Sequence, residues 1–331
     1  MDKRFWQGRK VLITGYEGFL GSNLTRQIIA SGAKVVGLDI ITHRKETILT
    51  KEDYKHFVAI KGSVADYFLL ETILKKYKID TVFHLAAEAI VGKSHDDPIA
   101  TFQTNVEGTW KLLEACRRHK CIDTIIVASS DKAYGDHKVL PYKEDASLIG
   151  RHPYDVSKSC ADLIAYTYFY TYGLPVAVTR CGNIYGPGDF NFSRIIPDGI
   201  RCAATGKTLQ IRSDGKFTRD YVYVDDIVNG YIMLAEKLKK LNLGGEAFNF
   251  SDENPLSVNA LVKEIFKLFG KKPDCKILNT AKYEIKHQYL YSAKARKVLG
   301  WKPYFTLRDG LESAAVWYQK FDRQRLSLFK A

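Results

Sequence analysis

Residues 10–21 read Lys10-Val-Leu-Ile-Thr-Gly-Tyr-Glu-Gly-Phe-Leu-Gly21. Val11–Thr14 is a short apolar run of strand type, and a GxxGxxG turn follows it. The next stretch places Leu20, Leu24, Ile28 and Ile29 on one helical face and stops at Gly32, where a glycine ends helices well. Each glycine of the turn has its own task. Gly15 permits a tight turn, Gly18 lets backbone approach a pyrophosphate, and Gly21 lets helix and strand pack closely. An anion would then sit at the positive end of the helix, beside Phe19 and Leu20.

The same rhythm continues outward. Lys34–Ile40, Phe57–Val64, Thr81–Ala87 and Thr124–Ser130 read as further strands, with helical patterns at about 66–78 and 98–119. Strand, helix and strand at this spacing predict parallel β joined by right-handed crossovers, hence an α/β fold with a doubly wound Rossmann sheet. Ligands bind such sheets at the carboxyl ends of the strands. Beyond about residue 180 the rhythm breaks, and Gly, Pro and Asp cluster in Gly182–Asp189. The expected division is a dinucleotide-binding domain over 1–182 and a smaller mixed α/β substrate lobe over 183–331. A segment at about 219–250 is expected to return to the sheet.

Asp39 ends the second strand, 18 residues beyond Gly21, where a ribose-diol acceptor is expected. A carboxylate there repels a 2′-phosphate, so NAD is favoured over NADP, while Arg44 nearby leaves the second cofactor open. Tyr154 and Lys158 form a YxxxK pair on one helical face. A tyrosine acting as a base near neutral pH must have its pKa lowered by about three units, roughly 4 kcal/mol of phenolate stabilisation. A lysine cation beside it and a positive nicotinamide ring are expected to supply that.

Hydrophobic residues at 46% and charged residues at 26% exclude disorder, collagen and coiled coil as whole-chain descriptions. No apolar run approaches the roughly 20 residues that span a bilayer, and residues 1–15 lack a signal-peptide core, so a cytoplasmic location and no membrane contact are expected. The six cysteines show no CxxC spacing and the eight histidines no HExxH, so free thiols and no metal are expected. The net charge of +13 is spread along the chain rather than gathered in an arm, which fits a basic surface better than a nucleic-acid interface.

The chain resembles the extended short-chain dehydrogenase/reductase superfamily over nearly all its length. The resemblance is carried by residues 14–24 (TGYEGFLGSNL), the run Leu85-Ala-Ala-Glu-Ala89, Asn105–Thr109, Tyr154–Lys158, Arg219–Asp226 and Leu299–Pro303. Within it, Ser130-Asp-Lys132 in SSDKAYG looks like nucleotide-hexose 4,6-dehydratases. Most of these carry Asp-Glu, and the CDP-glucose 4,6-dehydratases carry Asp-Lys. The Phe5-Trp-Gln-Gly8 start, GNIYGPGDF and the late HQYLYSAKARKVLGW point to the same subgroup. TGYEGFLGSN and Tyr291 depart from it, since the subgroup tends to have TGHTGFKGSW and an aspartate there.

The resemblance implies that NAD contacts Leu85, Ala86, Ala87 and Asn105 besides the glycine loop, Asp39, Tyr154 and Lys158. It implies that a nucleotide-diphosphate hexose is the substrate, reached by Asn183 and Arg219, with Arg194 as a third contact because its fork suits a diphosphate. Ser130 would bond O4, Asp131 would protonate the leaving O6 and Lys132 would manage the C5 proton. A protonated Asp131 beside an ammonium is a tension, because the cation lowers the acid's pKa. Tyr166, Tyr168, Phe169, Tyr170 and Tyr172 crowd the helix after Tyr154, and a homodimer through that helix and the one at about 98–119 is expected. The alternatives are a nucleotide-sugar 4-epimerase or related oxidoreductase, which would not need Asp131 or Lys132, and a non-catalytic scaffold that binds RNA.

Overall fold

The computed structural model describes residues 1–281 and 284–321. Seven strands form one parallel sheet: β1 (Lys10–Thr14), β2 (Lys34–Asp39), β3 (Phe57–Lys61), β4 (Thr81–His84), β5 (Thr124–Ala128), β6 (Val176–Cys181) and β7 (Ala247–Phe250). Their order across the sheet is 3-2-1-4-5-6-7. The chain adds strands outward on one side from β1 to β3 and then crosses to the other side at β4, and that switch point between β1 and β4 is where an open α/β sheet binds its ligand. Register places Leu12 between Val36 and Val82, so β1 is sealed on both sides by apolar strands.

Alternate residues of each strand enter opposite layers. Val11, Ile13 and Phe83 face the core that holds α1 (Phe19–Ala30), α6 (Val224–Leu238), Trp6 and Trp301. Leu12, Val82 and Ile125 face the other core, under α2 (Tyr67–Tyr77), α3 (Gly108–Arg118) and α4 (Pro153–Tyr172). Burial on both faces explains why strands such as TIIVA read as continuous apolar runs. No helix among the described residues is long and apolar enough to cross a membrane.

Four strands end earlier than the apolar runs predict, at Asp39, Lys61, His84 and Ala128. The runs continue into loops at the ligand end, where Leu85–Ala87 and Ser129–Ser130 are half-buried and Ile40 is exposed. The Leu85 amide is shared between the carbonyl and the Oγ1 of Thr14 at the end of β1, and the Ala86 amide donates to Thr14 Oγ1, so the regular ladder stops there. The helical pattern at 98–119 is interrupted by a π-turn at Gln103–Glu107 between Pro98–Phe102 and α3. β6 is absent from the sequence reading because Thr179 and Arg180 break its apolar run. Both are buried, Thr179 bonded to Tyr231 and Arg180 paired with Asp162.

The remaining chain builds a lobe with its own core. Tyr185, Ile196, Leu209, Tyr221, Leu261 and Leu311 pack there among α5 (Ile195–Thr205), α7 (Val258–Leu268) and α8 (Leu307–Phe321). Three small sheets fix it. One pairs Thr218–Arg219 with Leu256–Ser257 on one side and His287–Gln288 on the other. Within 219–250, α6 packs on the large sheet and β7 pairs with β6.

Candidate active site

The glycine loop turns under β4. Gly15 sits at φ +74°, and a Cβ there would come within 2.7 Å of the Ala86 nitrogen. A Cβ on Gly21 would strike the Gly15 carbonyl, which is why α1 can start so close to the end of β1. Gly18 caps α1 with no side chain over its first turn, and Phe19 and Leu20 are half-buried against the core. This cradle, closed to any Cβ at Gly15 and Gly21, fits a dinucleotide pyrophosphate at a helix N-terminus.

At the end of β2, Asp39 accepts from the amides of Glu17 (3.1 Å) and Ile41 (3.2 Å). Burial pushes its carboxyl up, against these amides and the Arg44 charge. Two carboxylates, Asp39 and the buried Glu17, meet where the diol is expected, and Glu17 is tied to Tyr54 and the His43 amide at 2.6 Å each. Negative charge here suits NAD and repels a 2′-phosphate.

A buried relay that the sequence reading missed links this cradle to the catalytic helix. Thr109 Oγ1 donates to the Asn105 carbonyl (2.6 Å), so it must accept from His84 Nε2 (3.0 Å). Thr14 Oγ1 accepts from Leu85 and Ala86 and therefore donates to His84 Nδ1 (2.8 Å). His84 is the neutral Nε2–H tautomer, and burial drives its pKa down to about 3. Asn105 then clamps Glu88 through both amide groups and donates to Ser157 Oγ, which donates to the Tyr154 carbonyl. Asn105 thus spends its side chain on the protein, and it positions the loop after β4 rather than offering a free group to a cofactor. A histidine inside the apolar run TVFH was the available signal.

Ser130 caps the short helical turn Asp131–Tyr134 at the end of β5, and Pro153 starts α4 one residue before Tyr154. Together they bring Ser130, Asp131, Lys132 and Tyr154 to one place. Ser130 Oγ donates to Asp131 Oδ1 (3.0 Å) and also bonds Tyr154. The expected lowering of Tyr154 is not supplied by the chain: burial pushes the phenol up to about 12, opposed by Ser130 and the Arg194 charge. The reason is visible in Lys158, whose Nζ donates to the Ala128 carbonyl (2.8 Å) and is brought down to about 8 by burial.

Asp131 and Lys132 resolve their tension through burial. Desolvation raises Asp131 and outweighs the pull of Lys132 and Arg219, while desolvation and Arg219 lower Lys132. Both shifts run toward the neutral forms, and burial weakens the ion pair that sequence adjacency alone would favour. Asp131 Oδ2 is buried with no partner, as a group awaiting a ligand would be.

The three expected substrate contacts are placed differently. Arg219 is buried and gives its guanidinium to the carbonyls of Thr218, Ile285 and Lys286. In this geometry it braces the strand His287–Gln288 instead of presenting a free fork. Arg194 is half-exposed, pairs with Asp189 at 3.0 Å and lies close enough to influence Tyr154. Asn183 is half-buried at the start of Asn183–Tyr185, its amide bonded to the Asp220 carbonyl. Tyr185 packs on Tyr223 and Phe190 on Trp317 and Phe321, so both belong to the lobe core.

Residues 12–314 match the profile of the GDP-mannose 4,6 dehydratase family. The chain belongs to this family. Its members are nucleotide-sugar dehydratases and epimerases that use NAD on a Rossmann fold. CDP-glucose 4,6-dehydratase of Salmonella typhimurium is 31% identical over 98% of this chain and 94% of that protein. UDP-glucuronate 4-epimerase of Thermodesulfobacterium geofontis is 29% identical over 97% and 98%. The structure of dTDP-glucose 4,6-dehydratase of Bacillus anthracis in complex with NAD matches with a TM-score of 0.86 at 29% identity, covering 96% of this chain and 98% of that one. The chain spans about half, 48%, of the length of a trifunctional Arabidopsis thaliana relative that joins UDP-glucose 4,6-dehydratase to epimerase and reductase activities.

Proposed function

We propose that this protein is an NAD-dependent nucleotide-hexose 4,6-dehydratase, with CDP-glucose as the first substrate to test. The observation that carries the proposal is the pair Asp131–Lys132. Asp131 is buried and Lys132 half-buried beside the Tyr154 site, and desolvation pushes both toward their neutral forms. A 4-epimerase needs Tyr154 and Lys158 but has no leaving hydroxyl to protonate and no C5 proton to move.

Bound NAD would supply the acceptor, and later the donor, of the single hydride the reaction moves. The positive charge that bound NAD would bring would lower Tyr154, which as the phenolate takes the O4 proton as C4 becomes a ketone, and that ketone acidifies C5–H. Lys132, as the free amine, takes the C5 proton while Asp131 gives its own to O6, which leaves as water. The pair is then an ammonium and a carboxylate, which their proximity stabilises. When C6 is reduced, Lys132 returns its proton to C5. Tyr154 now holds one proton too many and Asp131 one too few, and Ser130, bonded to both, stands between them.

A homodimer belongs to the same proposal. Leu163, Tyr166, Tyr170 and Tyr172 lie exposed on α4, next to exposed Trp110 on α3, whereas Tyr168 and Phe169 pack inward.

The test is incubation of purified protein with CDP-glucose, and separately with GDP-, dTDP- and UDP-hexoses, with products read by mass spectrometry. A product lighter by one water supports the proposal and names the nucleotide. A product of unchanged mass and altered stereochemistry replaces it with an epimerase.

A further inference from the structure

We propose that Gln288 is a positioning residue of the elimination step: its carboxamide oxygen holds the Lys132 amine, and its free NH2 takes an oxygen of the sugar. This rests on the dehydratase reading above. Gln288 is completely buried on the lobe strand His287–Gln288, yet it reaches across to the end of β5, where Lys132 Nζ donates to its Oε1 at 3.4 Å. Its Nε2 is buried with no partner in the protein.

A buried amide with two unused donors is costly, and such groups recur where a ligand completes the bonding. The unpartnered Asp131 Oδ2 belongs to the same neighbourhood. One atom offers donors and the other an acceptor or an acid proton, which is the complement of a hydroxylated ring. The strand carrying Gln288 is itself held, because Arg219 bonds the carbonyls of Ile285 and Lys286 just before it. The lobe thereby fixes the reach of a base that belongs to the sheet domain. Gln288 neither gains nor loses a proton.

The charged groups around Lys132 are Asp131 beside it, Asp155 on α4, Arg219 on the neighbouring strand and Glu284. Gln288 adds an acceptor without adding a charge. Gln288→Glu keeps the size and adds a negative charge, so Lys132 holds its proton longer. The acidic limb of the pH–rate profile should then move up by about one unit. Gln288→Leu removes the acceptor. Its kcat should fall about 10- to 100-fold, KM should move less, and reduced nicotinamide should accumulate during turnover because C4 oxidation outruns elimination.

The experiment measures wild type and both variants with the nucleotide-hexose that wild type dehydrates, by mass of product, nicotinamide absorbance and pH profile. Gln288→Glu carries the test alone if Gln288→Leu does not fold. Wild-type dehydration with an unmoved limb in Gln288→Glu, or with Gln288→Leu turning over like wild type, overturns the role of Gln288. A wild type that releases no water from any of the four substrates overturns the dehydratase reading, and this inference with it.

Discussion

At the scale of single residues, desolvation decides the chemistry. Asp131 and Lys132 are adjacent in sequence, and their mutual attraction alone would make them a permanent ion pair. Burial opposes both charges and shifts the acid up and the amine down, the directions the proposed elimination needs. Asp131→Asn keeps the shape and removes the proton. Turnover should fall on the order of 100- to 10,000-fold while reduced nicotinamide still appears on adding substrate, as absorbance spectroscopy would record. Asp220 shows the same force without a catalytic role. Burial lifts its carboxyl to about 7, although Ser251 and the Leu290 amide donate to it. In the unfolded chain this group ionises near 4, so between about pH 4 and pH 7 the folded protein binds the extra proton. Stability from this group is therefore lost as pH rises through that window. Asp220→Asn should flatten the dependence of the thermal midpoint on pH between 5 and 8. An unchanged slope would show that Asp220 does not titrate there.

At the scale of elements, the site depends on where backbones are allowed to touch. α1 starts at the end of β1 only because Gly21 has no Cβ to meet the Gly15 carbonyl, and Gly15 lies equally tight under Ala86. Gly21→Ala should displace the first turn of α1, cost about 1–3 kcal/mol of stability and strip the purified protein of bound NAD. Denaturant melts and cofactor release on unfolding would measure both. The glycine spacing, the strand before it and Asp39 were all legible in the sequence, because each is a local requirement. The relay through His84, Asn105 and Ser157 was not, because its partners lie on β4, the π-turn and α4. These elements meet only when the sheet is wound. Arg219 was misread for the same reason: a diphosphate-binding arginine and one that bonds main-chain carbonyls look alike until the strand beside it is known.

At the scale of the molecule, two cores meet at the ligand end of one sheet. The sheet domain supplies Tyr154, Lys158, Ser130, Asp131 and Lys132, and the lobe supplies Gln288 and Arg219. The exposed aromatics of α4 leave a second surface to be covered. Leu163 and Tyr166 are 55% and 49% accessible, and with Tyr170 and Tyr172 they form the apolar face on which the proposed dimer rests. The double substitution Leu163→Glu, Tyr166→Glu should halve the mass found by analytical ultracentrifugation. A wild type that already sediments as a monomer would remove the dimer from the account.

The sequence by itself determined the parallel character of the sheet and five of its strands, the glycine cradle, the place of Asp39 at the end of β2, the YxxxK pair and the Asp-Lys pair. Each of these is written in residues close along the chain, where periodicity and backbone sterics act. Only the tertiary structure decided the direction in which Asp131 and Lys132 are shifted, the direction in which Lys158 points, the commitment of Asn105 to Glu88 and Ser157 and of Arg219 to main-chain carbonyls, and the arrival of Gln288 beside Lys132. Those depend on burial and on contacts between distant segments, and desolvation exists only once the chain has excluded water.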